Sequence, residues 1–381
     1  MNPSLIALDF LTRALQDDPQ VDNDTLHTAI RSGQVPWEAV VSLANQHLLT
    51  PALWVALEHR GLAEELPEDL AHYLQELHRL STERNRHLRQ QLLEAARQLN
   101  SAGIVPVLLK GAKHLVTDMY RDPGIRIMSD IDLLVRRAEI PPAHEALQAL
   151  GYRPLEDIHD DYHDEHHHCA PLYREGDYGT LELHRGLAEK PFDRLLPLET
   201  ALAALDPLEI EGARMTALSA THRLLHNLVH SQLIDHLYAD GIFPLRSLHE
   251  TVHEYRAAGA DWPGIRAQMQ QHRRVRAFDA HVFMAHRLFA MPLPPGIHPG
   301  LHGRLHYRRC RWQLAWRPAH EWGLRLGRYS ADRMAERYGC GRGWLSVNRA
   351  RLRRLTGRVA RLCSDWSRTS TVPPPGKQDK A

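Results

Sequence analysis

At 381 residues, 43% hydrophobic and 24% charged, the chain holds enough apolar material for a sizeable core and excludes a disordered or low-complexity protein. Its net charge of +1 hides an asymmetry: Arg304–Ala381 carries nineteen Lys/Arg against five Asp/Glu, so the remainder is net acidic and the C-terminal segment is suited to an anionic partner or to a solvated basic surface. No stretch approaches the ~20 apolar residues of a membrane span, and Met1–Arg13 lacks the basic-then-apolar order of a secretory signal.

Residues up to about Asn100 read as helical, with apolar positions at helical spacing through Leu5-Leu8-Leu11-Leu15 and Ala39-Val40-Leu43-Ala44. Pro67–Leu99 has no internal proline or glycine and predicts one long helix, stopped at Ser101-Ala102-Gly103. The pattern then changes. Ile104–Leu109 is a short apolar run that predicts a buried strand, Lys110-Gly111-Ala112 a turn, and Lys113–Met119 a short helix. After the Arg121–Gly124 loop, Asp130-Ile131-Asp132-Leu133-Leu134 predicts a second strand, and Pro141–Leu150 a helix. Cys169–Tyr173 and Gly179–His184, joined through Glu175-Gly176-Asp177, predict a hairpin. This order predicts a small mixed sheet covered on one side by helices. From Leu195 the expectation returns to helix, clearest in Thr216–His230, Pro244–Ala257 and Arg273–Phe289. A proline-rich break at Pro292–Pro299 precedes a basic helical stretch, Gly303–Cys363, and the tail from Ser364 reads as disordered. Cys169, Cys310, Cys340 and Cys363 show neither paired metal spacing nor a disulfide framework, so a reducing cytoplasm is the expected location.

The chemistry concentrates in the middle. Side chains alternate along a strand, so Asp130 and Asp132 share a face while Ile131 and Leu133 point to a core. Two like charges on one half-buried face repel and lose hydration unless a cation sits between them, and a hard divalent ion such as Mg²⁺ is the usual occupant. Taken alone, Asp-x-Asp is more often a solvated strand edge. Its neighbours change the balance. Lys110-Gly111 closes one strand where free backbone N–H groups favour phosphate, and Glu182 lies on the polar face of another alternating strand. Three carboxylates beside an anion-binding turn make the pattern of a two-metal phosphoryl-transfer site. Arg126 is placed either to contact phosphate or to lock the carboxylates by a salt bridge, and Lys110 either to contact phosphate, to cap the strand end or to pair with Asp130. His184 reads either as an orienter of a carboxylate or as a structural histidine. His159, His163, His166, His167 and His168 crowd Asp157–Cys169; their spacing matches no closed zinc site, so a loop beside the active site is preferred over a histidine-metal hydrolase. His226 and His230, i and i+4 on an apolar helix, read as packed rather than ligating.

Leu109-Lys110-Gly111, the run from Arg126 through Ser129-Asp130-Ile131-Asp132 to Val135, and Glu182-Leu183-His184 together resemble the uncharacterised nucleotidyltransferase family of the DNA polymerase beta superfamily. The resemblance implies that Asp130 and Asp132 bind two metal ions, Mg²⁺ or Mn²⁺, with Glu182 as third carboxylate near the attacking hydroxyl. It also implies that Lys110, Gly111, Ser129 and Arg126 lie about the triphosphate of a nucleoside triphosphate. The turn holds Gly111-Ala112 where such enzymes often have a serine, and the third acid is the longer Glu182. The helix of His226 and His230, followed by Arg246, is similar in layout. The expected fold class is α+β, a small mixed nucleotidyltransferase sheet flanked by N- and C-terminal helical regions. The expected division is 1–100 helical, 101–190 nucleotidyltransferase core, 191–300 helical, 301–363 basic helical and 364–381 disordered. The implied activity is NMP transfer to an unknown hydroxyl on a small molecule, protein or RNA, with release of pyrophosphate. The alternative is a catalytically degenerate nucleotide-binding module whose basic region holds an RNA or protein partner.

Overall fold

The computed structural model describes residues 2–16, 23–155, 168–257, 259–331, 333–334 and 346–351. The chain forms two compact units, residues 1–321 and 322–381. In the second, Met334, Val347 and Ala350 bury a small apolar cluster. The expected disordered tail and His159–His167 lie outside the described residues.

The first unit is α+β, as expected from the sequence. It opens with four helices, α1 (Pro3–Ala14), α2 (Asn23–Arg31), α3 (Trp37–Gln46) and α4 (Thr50–His59). The long helix α5 follows at Glu68–Ser101 and matches the predicted span closely. Good helix formers fill it, and Leu88, Leu92, Ala95, Ala96 and Leu99 make one buried stripe. That stripe packs under a seven-stranded sheet.

The sheet runs in the order β3-β4-β5-β2-β1-β7-β6, where β1 is Val107–Leu108, β2 Asp130–Leu134, β3 Arg153–Pro154, β4 Leu172–Tyr173, β5 Thr180–His184, β6 Leu205–Ile210 and β7 Ala213–Leu218. Pairs β2/β5 and β1/β7 are parallel; the others are antiparallel. Ile131, Leu133, Leu181 and Leu183 project into the layer shared with α5 and with α6 (Ile140–Ala149). The predicted Lys113–Met119 helix is only a single tight turn, Ala112–Leu115.

Two expectations change. The stretch after Leu195 is not wholly helical, because β6 and β7 form a hairpin that joins the sheet through β1. Glu211 and Gly212 both have positive φ, 51° and 75°, which is the two-residue turn that suits the twist of a hairpin. Pro207 is tolerated because β6 is the outer strand. Nor is the sheet covered on one side only. Val107, Leu109, Leu134 and Leu218, on its other face, join an apolar core built from the N-terminal helices and from α7 (Leu198–Leu202), α8 (Ala220–Leu228), α9 (Leu237–Asp240), α10 (Leu245–Arg256), α11 (Trp262–Gln271) and α12 (Val275–Phe289). Between that core and the sheet lies a pocket. The basic stretch begins as expected with a helix, α13 (Leu301–Ala315).

Candidate active site

The pleat of β2 and its parallel register with β5 build the site. Asp132 stands opposite Glu182, and Asp130 opposite Thr180. With the leucines turned toward α5, the carboxylates share the other face. Asp132 is 1% exposed, and its Oδ1 accepts from Lys110 Nζ at 2.7 Å and from His184 Nε2 at 2.8 Å. His184 also lies 3.7 Å from a Glu182 carboxylate oxygen. Donor atoms of Asp132, Glu182 and His184 all fall within 4.8 Å of one another. Two of the three expected metal carboxylates therefore meet in this cluster. Asp130 lies one pleat further along β2, and His184 takes the third place.

A pocket of about 370 Å³ opens in front of them. Lys110, Gly111, Arg126, Ser129, Asp130 and Asp132 all line it; Glu182 is not in its wall but backs Asp132 from the next strand. Arg126 is placed by the loop before β2, which α5 holds from below. Asn85 donates to the carbonyls of Pro123 and Arg126, both at 2.7 Å, and Arg84 to that of Met128 at 2.6 Å. Above the turn the Arg126 guanidinium rests against Met128 Sδ and donates to Glu250 at 2.8 Å. A side chain at residue 111 would collide with both Arg126 and Met128, so glycine is what allows the arginine to lie over the turn.

The charges are strongly coupled. Burial pushes the Asp130 carboxyl up, and the neighbouring Asp132 and Glu182 charges push it further. Burial would also raise Asp132, but the hydrogen bond from His184 and the Lys110 ammonium hold it well below the usual carboxylate range. The His184 bond lowers Glu182 against the opposing effect of burial. Burial works to discharge Lys110 and His184, yet Asp132 keeps both raised. The face thus concentrates negative charge that one lysine and one histidine only partly offset. The carboxylate oxygens of Asp132 and Glu182, with Asp130 one pleat away, are donors compatible with a divalent ion.

Other wall residues come from the later helices, where the sequence marked His226, His230 and Arg246 but not Glu250. Glu250 on α10 is half-buried; burial raises its carboxyl, but Arg126 and Arg246 outweigh that and bring it to about 2. Arg246 lies 3.4 Å from Glu250 and donates to the Ile127 carbonyl at 3.1 Å. A signal was present, since Arg246, Glu250 and Glu254 recur every fourth residue along one helical face. His226 lines the pocket with its imidazole lowered to about 3, first by burial and then by His230. His230, bonded to Asp235 at 3.1 Å, lies on a π-helical turn, Val229–Ile234, a rare form that often marks functional sites. His168 bridges through the backbone to His184, the last residue of β5.

Two aspartates of β2, a glycine turn and the arginines Arg126 and Arg246 thus line one pocket. The family model described as uncharacterised nucleotidyltransferase matches residues 33–290, more than half the chain, and the chain belongs to that family of transferases. No curated protein and no solved structure matches it. Among the described residues no helix is long and apolar enough to cross a membrane.

Proposed function

We propose that the protein is a divalent-metal-dependent nucleotidyltransferase of the DNA polymerase beta superfamily, moving an NMP group from a nucleoside triphosphate to a hydroxyl acceptor. The observation that carries this reading is the register that sets Asp132 beside Glu182, with Asp130 on the same face and the Lys110-Gly111 turn and Arg126 in the same pocket. Asp130, Asp132 and Glu182 would hold Mg²⁺ or Mn²⁺, which would supply neutralising charge for the triphosphate and acidity for the acceptor hydroxyl. Gly111 lets Arg126 lie over the turn, and Arg126 and Lys110 contact the non-transferred phosphates. His184 orients Asp132 by its hydrogen bond, and Glu182 receives the hydroxyl proton. The acceptor oxygen bonds to the α-phosphorus, the bridge to the β-phosphate breaks, and pyrophosphate departs with the electron pair.

The second reading, a nucleotide-binding module without turnover, draws on one observation: Lys110 and His184 already satisfy Asp132. Incubating the protein with each α-labelled triphosphate, Mg²⁺ or Mn²⁺ and a cell extract separates the two. The leading reading expects label in one class of acceptor, whether small molecule, protein or RNA. Metal-dependent nucleotide binding with no labelled product would favour the second.

A further inference from the structure

Lys110 stands where a cation would be expected. Its Nζ lies 2.7 Å from Asp132 Oδ1, an oxygen that His184 Nε2 also reaches at 2.8 Å. Asp132 is almost wholly buried, so water screens this contact little. Glu182 and Asp130 attract the same ammonium. The lysine reaches the cluster from a left-handed backbone, φ 44°, a conformation that costs a non-glycine residue on the order of 1 kcal/mol. Glycine would occupy that position without strain, as it does in many turns. The strain is instead borne by a residue whose charge completes the carboxylate face.

The same ammonium borders the pocket. Its four-carbon stem carries a compact charge that can turn from one anion to another by rotamer changes alone. A phosphate entering beside Gly111 and Arg126 offers such an anion.

We propose that Lys110 is an exchangeable counter-ion, which neutralises Asp132 while the site is free, competes there with the divalent cation, and transfers to the triphosphate when metal and nucleotide enter together. The inference rests on the metal-dependent reading above and adds a binding order to it. Metal alone must displace the lysine, whereas the nucleotide draws the lysine away and so strengthens metal binding; by linkage the metal strengthens nucleotide binding equally. An ammonium seated on Asp132 about nine-tenths of the time lowers apparent metal affinity about tenfold.

The test is Mn²⁺ binding by the full chain, read by electron paramagnetic resonance of free Mn²⁺, with thermal unfolding measured in parallel. Wild type is compared with Lys110→Met, Lys110→Arg and the double variant Asp130→Asn/Asp132→Asn. Lys110→Met is expected to bind Mn²⁺ about tenfold more tightly than wild type without nucleotide. It is also expected to lose the gain in Mn²⁺ affinity that a non-hydrolysable triphosphate gives wild type, while Lys110→Arg stays near wild type. Mn²⁺ should raise the Tm of Lys110→Met more than that of wild type, because the variant leaves a buried carboxylate with His184 but without the ammonium. Equal or weaker Mn²⁺ binding by Lys110→Met overturns the inference and leaves the metal-dependent reading intact. If Lys110→Met unfolds without metal, recovery on adding Mn²⁺ supports the exchange and failure to recover overturns it. Mn²⁺ binding retained in the double Asn variant, or absent from both wild type and Lys110→Met, overturns the metal-dependent reading itself.

Discussion

Replacing Gly111 with alanine adds a single methyl group at the point where the turn meets Arg126. The backbone there, φ −74° and ψ −20°, is open to any residue, so alanine brings no conformational strain. The added Cβ would overlap Arg126 Nη1 and the end of Met128, both tips of flexible side chains. They can withdraw, but Arg126 is tied to Glu250 at 2.8 Å in a pair that is 12% and 15% exposed. Overpacking of this kind costs about 1–3 kcal/mol, and the low end applies because no backbone must move. The functional cost is larger. A displaced guanidinium forfeits a charge-assisted contact worth about 1.5–3 kcal/mol, or roughly 10- to 100-fold in triphosphate affinity. Calorimetric titration of a non-hydrolysable triphosphate with Mg²⁺, beside a thermal melt, separates the two effects. Gly111→Ala is expected to fold with a modestly lower Tm and bind nucleotide at least tenfold more weakly. Affinity within about twofold of wild type would refute the contact between the triphosphate and Arg126.

Further outcomes follow from the same charges. Asp130→Asn should raise the Tm at neutral pH while abolishing activity, because burial and then the like charges of Asp132 and Glu182 disfavour the ionised form that the chemistry uses; Asp132→Asn should lower it, because Lys110 and His184 lose their shared partner. Glu250 has its carboxyl depressed from 4.5 to about 2, so its ion pair contributes on the order of 3 kcal/mol above pH 4.5, lost as pH falls toward 2. In Glu250→Gln that step in an acid-unfolding series should flatten; an unchanged slope between those pH values would contradict the pairing. Gly212→Ala, at φ 75° in the β6–β7 turn, should cost about 1 kcal/mol in urea unfolding and leave nucleotide affinity unaltered; a change in affinity would show that the hairpin reaches the pocket.

The parts of the fold visible in the sequence are those written in local periodicity. Helix α5 shows its stripe over 34 residues, and the alternation in β2 and β5 sets carboxylates against leucines in five residues each. The β6–β7 hairpin is harder to see because β7 is Ala-Arg-Met-Thr-Ala-Leu, rich in helix formers with only Thr216 β-branched. Its clearest mark is Glu211-Gly212, and pairing with β1 decides the rest. Long-range partners are hidden for a different reason. Arg126 meets Glu250 across 124 residues of chain, and no local pattern joins them. Lys110 and Arg126 each had open roles in the sequence, phosphate contact and carboxylate pairing among them. The structure pairs both with carboxylates other than those expected: Lys110 with Asp132 rather than Asp130, and Arg126 with Glu250 on α10 rather than with the strand aspartates, at the edge of one pocket.

Asp130 and Asp132 are where the account is most exposed. The most direct measurement is pyrophosphate release with Mg²⁺ and the acceptor found by labelling, comparing wild type with the Asp130→Asn/Asp132→Asn variant after circular dichroism has established that both are folded. Release by wild type and none above background by the variant is the predicted result. Equal release from the two proteins would contradict the assignment of these strands as the catalytic centre.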